Sequence, residues 1–308
     1  MTAARPRADE GDEECKHIGM SSEVIGTLRS LDARYCSLAT GVFYMKIEPR
    51  EISENSMRFV IRDTTPAFAN MIRRALVVSV PKLAIDDVMI YDNTSALFDE
   101  IIAHKLGMLP IPTAPEEFVE KEKCTCNGEG CSKCTVHYTL SKEGPCTIHS
   151  GDLTPDRPGF AFADKQVPIV KLLGGQRLIL EAIATLGTGS KHAKWQVSCG
   201  AGYKYYPSVK IDQSKCDYHG GCIKECPQGI FKMDGKKVVV DQSKIEKCTL
   251  CMSCKEYCEE ASSAIDVTWD ENKVIFTFET DGSLPAAEAL RHATKSLKQK
   301  FAEFESLI

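Results

Sequence analysis

The stretch "KCTLCMSCKEYC", residues 247–258, sets Cys248, Cys251, Cys254 and Cys258 at spacings of three, three and four. Thiolates so spaced on one short loop form an iron–sulfur signature. A second set lies upstream in "KCDYHGGCIKEC", with Cys216, Cys222 and Cys226 in place and His219 between them. A third, "CTCNGEGCSKC", brings Cys124, Cys126, Cys131 and Cys134 within eleven residues. These sets use eleven of the fifteen cysteines. In a reducing compartment such clusters read as metal sites more often than as disulfides. Cys15, Cys36, Cys146 and Cys199 are left as structural or incidental thiols.

The first two sets belong to an internal repeat. "VKIDQSKCDYHGGCIKECPQGIF" begins at Val209 and "VVVDQSKIEKCTLCMSCKEYCEEASSAI" at Val238, so that Asp212-Gln213-Ser214-Lys215 recurs as Asp241-Gln242-Ser243-Lys244. Each half reads as strand, cysteine loop and short helix, with a hairpin turn at Asp234-Gly235 between them. The segment resembles the bacterial two-cluster ferredoxin domain, in which the fourth cysteine of each half ligates the other half's cluster. The resemblance implies that Cys248, Cys251, Cys254 and Cys226 hold a [4Fe–4S] cluster. It implies a second cluster on Cys216, Cys222 and Cys258, but there His219 stands where the pattern has cysteine. The fourth iron could take His219, water or another group as its ligand, or be absent and leave [3Fe–4S]; a lone histidine in a loop is more often a solvated surface residue. Glu259 also stands where a ferredoxin often has proline.

The third set can wrap one tetrahedral ion. Four thiolates with Gly128 and Gly130 between them suit a closed structural zinc site. The competing reading is a metal-free, cysteine-rich loop.

The elements around these loops follow from pattern. Residues 1–44 are polar, acidic near their start and without periodicity, and read as a disordered extension. Strands are predicted over Phe43–Glu48 and Met57–Arg62, with a turn at 53–56. A helix then starts with Thr65 as cap and Pro66 in its first position. Phe68, Met71, Ile72, Ala75 and Leu76 form its apolar face. A strand over Val88–Tyr91 leads to a second helix ending at Gly107, with Ala96, Leu97, Ile101, Ile102 and Leu106 as its face. After the cysteine repeat, Lys273–Thr280 reads as a strand. The last stretch reads as a helix with Leu290, Leu297, Phe301, Phe304 and Ile308 in near-heptad order.

Three stretches carry a further resemblance: "RFVIRDTTPAFANMIRRALVVSVPKLAID", "ALFDEIIAHKLGMLPIP" and "GTGSKHAKWQVSCG". In this order they resemble the alpha-like assembly subunits of RNA polymerase, and most closely the D-type form of the archaeal enzyme. The cysteine knuckle is similar to the zinc loop of the eukaryotic homologue, and the ferredoxin-like segment to that of methanogen forms. The resemblance implies an α+β chain with a discontinuous dimerisation domain, residues 45–112 and 266–308. It implies an inserted strand-rich domain at 113–206 and a ferredoxin-like domain at 207–265. The expected partners are subunit L as heterodimer mate, subunits N and P, and the second-largest subunit. Phe68, Ile72, Leu290, Leu297, Phe301 and Phe304 are the expected contacts with subunit L.

The totals narrow the functions. The chain has 308 residues, 43% hydrophobic and 26% charged, with no apolar run of membrane-spanning length and no signal-peptide pattern; a cytoplasmic protein is expected. A net charge of −5 disfavours a large nucleic-acid footprint. No aspartate triad for Mg²⁺ and no phosphate-cradling glycine loop appears, so a scaffold within a catalytic complex is expected. The rival is a ferredoxin-like electron-transfer subunit of an oxidoreductase. It lacks any flavin, nicotinamide or haem motif.

Overall fold

Thr65 and Pro66 begin the first helix as the sequence predicts. In the computed structural model, which describes residues 45–216, 220–235, 237–261 and 263–308, helix α1 spans Pro66–Val78. The Phe68 N–H donates to Thr65 Oγ1 at 3.3 Å, filling one of the donors a helix start leaves open. The helix stops at Ser79, whose N–H donates to the Ala75 carbonyl, just before Val80-Pro81. Residues 1–44 and His219 lie outside the described residues.

Strands β1 (Lys46–Ile52) and β2 (Ser56–Arg62) form the expected hairpin. β1 runs four residues further than the sequence suggests, because β2 supplies a partner as far as Ile52. The chain also folds into β3 (Pro81–Asn93), α2 (Asp99–Gly107), β4 (Thr135–Glu143), β5 (Cys146–His149), β6 (Thr154–Pro155), β7 (Pro168–Leu172) and β8 (Arg177–Thr188). It continues as β9 (Ser198–Ile211), α3 (Gly221–Glu225), β10 (Phe231–Asp234), β11 (Lys237–Val240), α4 (Ser253–Ala261), β12 (Ile265–Thr280) and α5 (Ala286–Ser306). Among the described residues no helix is long and apolar enough to cross a membrane.

Three cores organise these elements. The first lies under the antiparallel sheet β1-β2-β12-β9, where Met57, Phe59, Ile61, Val274, Phe276 and Phe278 point to one face. Helices α1 and α5 cover that face through Phe68, Ile72, Leu76, Leu290 and Leu297. The second core lies within sheet β3-β8-β4-β6, joined by the pair β5-β7 and covered by α2 through Ile102 and Leu106. The third lies inside the cysteine module.

The cores do not follow the sequence division at residue 112. β3 pairs with β8 from Pro81↔Thr188 to Asn93↔Leu178, so residues 81–112 belong with the second core. Conversely β9, whose residues 198–206 the sequence division assigns to the inserted domain, pairs along β12 in the first sheet. The predicted strand at 88–91 is the outer part of β3. In the second helix Ala96 and Leu97 precede the first turn, and Ile101 is exposed. Gly187 is needed for packing: a Cβ there would come within 2.5 Å of the Trp195 ring, whose Nε1 donates to the Thr185 carbonyl.

Two neighbouring segments join the first and second cores. Lys82, buried at the start of β3, pairs with Asp281 just after β12 and also donates to the Gln196 carbonyl. Asp281 in turn accepts from Ser283. The Thr113 N–H donates to the Ser283 carbonyl at 2.9 Å.

Candidate metal centres

The repeat in sequence is a repeat in space. The outer end of β9 pairs with the start of β12, Val209↔Val267 through Ile211↔Ile265, and β10 pairs with β11. The strand entering each half therefore pairs with the strand leaving the other. Asp212 and Asp241 make matching turns, each accepting from the N–H and hydroxyl of the serine two residues on. Gly220 and Met252, at equivalent positions, are both left-handed, with φ of 70° and 65°. Leu250 joins Met252 in this region, at φ 56°. A side chain there carries strain, typically of order 1–3 kcal/mol. The two residues flank Cys251 and curl the loop around it.

That curl brings four cysteines to one cavity. Cys226, Cys248, Cys251 and Cys254 line one small cavity, walled by Pro227, Ile230 and Val267. Burial pushes the Cys254 thiol up to about 11, with the neighbouring Cys226, Cys248 and Cys251 adding to the effect. Cys251, the exposed member, is held below the ordinary thiol value by hydrogen bonds from Ser253. A second small cavity is lined by Cys216, Cys222 and Cys258, with Gly220 and Tyr257 beside them. The Ala264 N–H donates to Cys258 Sγ at 3.3 Å. Thus each cavity gathers cysteines from both halves of the repeat.

The knuckle differs in scale. Its four Sγ atoms lie within 4.8 Å of one another, with pairs at 3.6, 3.6 and 3.8 Å. A tetrahedron with zinc–sulfur bonds of about 2.3 Å has edges of about 3.8 Å, so the quartet fits one such ion. Asn127, Gly128 and Gly130 take left-handed conformations that fold the loop back on itself. Cys126 is drawn down to about 6, chiefly by the Gly130 N–H, while burial pushes Cys134 up to about 12. A cation between the four sulfurs would offset the repulsion between thiolates brought this close. Arg157 fixes the loop from outside, stacking on Phe118 and Phe160 and donating to the Ser132 carbonyl at 2.6 Å. Among the described residues this is the one group of three or more such ligands closed to that distance. Among the described residues the thiols of the two cavities are not drawn together to that distance.

The expected partner contacts fare differently. Phe68, Ile72, Leu290 and Leu297 are buried in the chain's own first core. They are not available to a partner, because an apolar helix face looks the same in sequence whether its own sheet or another chain covers it. Phe301 is partly buried at the edge of that core, and Phe304 is 62% exposed. Sequence reading also missed Lys204, Arg50, Arg58 and Glu246, which carry no motif and meet only once strand register is known.

A helix-backed antiparallel sheet in which early and late parts of the chain pair together, with a second sheet inserted between them, defines the class. Residues 58–301 match the RNA polymerase Rpb3/Rpb11 dimerisation domain, and the chain belongs to that family. Its relatives include the DNA-directed RNA polymerase subunit Rpo3 of Methanosarcina acetivorans, 41% identical over 265 residues, which are 86% of this chain and 98% of the relative. The Rpo3 subunit of Archaeoglobus fulgidus is 39% identical over 85% of this chain and 97% of its own length. That of Methanothermobacter thermautotrophicus is 41% identical over 83% and 96%.

Proposed function

We propose that this chain is an assembly subunit of a DNA-directed RNA polymerase, the counterpart of archaeal Rpo3, and that it supplies no catalytic residue. It pairs with a smaller subunit of the L (Rpb11-like) type. The pair then carries subunits N and P and docks on the second-largest subunit. The observation that carries this reading is the far end of α5. The helix is 21 residues long, but its buried residues stop at Leu297. Beyond it Phe304, Leu307 and Ile308 are 62%, 84% and 93% exposed. An apolar face that outruns its own sheet fits a second chain. The electron-carrier alternative is not favoured, since these relatives carry the name of a polymerase subunit.

The test is co-expression with the L-type partner. Burial of one large apolar side chain contributes about 1.5–3 kcal/mol. Phe304→Asp with Leu307→Asp is expected to lower co-purification by roughly tenfold or more while the melting curve of the isolated chain stays put. Leu297→Asp should instead destabilise the chain itself. Undiminished pairing by the Phe304/Leu307 variant would remove α5 from the interface.

The cysteines brace this scaffold. Cys226, Cys248, Cys251 and Cys254 are suited to a [4Fe–4S] cluster. Cys216, Cys222 and Cys258 are suited to a second cluster, [3Fe–4S] or [4Fe–4S], with His219 as candidate fourth ligand. The knuckle is suited to Zn²⁺. When bound, these groups supply covalent cross-links between loops, and the clusters an oxygen- and iron-sensitive one. Cys131→Ser with Cys134→Ser should release about one zinc per chain and leave iron content unchanged. Wild-type protein with full iron and no zinc would make the knuckle a metal-free turn.

A further inference from the structure

Strand parity sends one row of side chains to the face of the first sheet opposite α1 and α5. Glu48 on β1 is opposite Val60 on β2, Val60 is opposite Ile275 on β12, and Ile275 is opposite Lys204 on β9. Arg58 and Arg62, two residues either side of Val60, share that face. Val60 and Ile275 are buried, although they lie outside the core beneath α1 and α5.

The loop that opens the first cysteine quartet sits against this row. Lys204 Nζ donates to the carbonyl of Cys248 at 2.9 Å. Two residues earlier, Glu246 is bound by Arg50 Nε at 2.8 Å and lies 3.6 Å from an Arg58 nitrogen, and its own carbonyl accepts from Arg58 at 3.4 Å. Glu246 keeps only 17% of its side chain exposed. Glu48 spaces the arginines, accepting from Arg50 at 2.9 Å and from Arg62 at 3.1 Å. The second cavity is held differently. Its supports come from within the module: Asp212 N–H to the Ala264 carbonyl, Gln213 to the Val238 carbonyl, and Ala264 N–H to Cys258 Sγ.

We infer that Lys204 and Glu246 are positioning residues for the first quartet alone: through them the dimerisation sheet holds Cys248 in place for its iron–sulfur group. The inference rests on the cluster assignment proposed above. An ammonium on the ligand's own carbonyl fixes the loop, and a charge-assisted bond of this kind contributes enough to change a rate about tenfold. Among the described residues Lys204 and Glu246 bond to the loop of the first quartet and not to Cys216, Cys222 or Cys258, so that second set is indifferent to both.

The test uses full-length protein purified anaerobically, with iron release to an excess of ferrous chelator followed over time. In a Cys222→Ser background, where only the first quartet is complete, Lys204→Met is expected to speed iron release about tenfold, Glu246→Gln to act in the same direction, and Lys204→Arg to restore the slow rate. In protein that keeps all of these cysteines, Lys204→Met should speed only one of the two phases of iron release. Equal release rates with and without Lys204→Met in the Cys222→Ser protein would overturn the inference, as would an equal acceleration of both phases. Wild-type protein purified without iron or sulfide would overturn the cluster assignment, and this inference with it.

Discussion

Replacing Cys251 with serine is expected to open residues 212–264 to protease while leaving the helix-backed sheet folded. Among the described residues the third core has twelve buried members, and Cys222, Cys248, Cys254 and Cys258 are four of them. A domain of about 60 residues with so small an apolar core is marginal unless something cross-links it. Thiolate–iron bonds would supply that cross-link, as ligation does in other small metal-dependent domains. Serine keeps the size of Cys251 but is a poor ligand to iron. Loss of one of four ligands at the first cavity should therefore release both loops that meet there. Fraying should run back along β9 and β12 only as far as the irregularity between Asp270 and Val274, beyond which Phe276 and Phe278 sit in the first core. Pairing with the L-type partner should persist, and later assembly should suffer. Limited proteolysis with mass-mapped cleavage sites measures this. Resistance equal to wild type, with polymerase assembly unchanged, would mean that the module stands without its ligands.

The second large effect concerns the joint between the first two cores. Lys82 keeps 3% of its side chain exposed and is paired with Asp281. Removing one partner of a buried pair strands the other, at a cost of about 3–5 kcal/mol. Here the lower end applies, since Asp281 is partly open to water and retains Ser283. Lys82→Met should lower the melting temperature by roughly 6–12 °C for a chain of this size. Adding Asp281→Asn removes the stranded charge and should recover more than half of the loss. Equal melting curves for wild type and Lys82→Met would show that the pair contributes little to the joint.

Local signals are legible in the sequence and long-range partners are not. Thr65-Pro66 marks the start of α1 because capping is a matter of a few consecutive residues. The cysteine repeat is visible because ligand spacing is local too; Cys226, Cys248, Cys251 and Cys254 line one cavity, and Cys216, Cys222 and Cys258 line another. The pairing of β3 with β8 cannot be read from pattern, because strand pairing depends on which other strand offers a matching edge about a hundred residues away. For the same reason a boundary drawn at residue 112 puts residues 81–112 with the wrong core. Leu290 and Leu297 fit a partner-facing stripe as well as a core-facing one; only the sheet beneath α5 decides. The anchor at Lys204 arises from register across four strands, which no window of sequence contains.

The cysteine module begins after Ile211 and ends before Ile265, and these two residues face each other across neighbouring antiparallel strands. Topologically it is the enlarged tip of a β-hairpin. Facing residues in such a pair lie about 5 Å apart, a gap that a two-residue turn can close. The whole module can thus be gained or lost in a single insertion or deletion without shifting the register of any other strand. A chain without the module can keep its helix-backed sheet, provided the row of charges around Lys204 finds water or another partner in place of the lost loop.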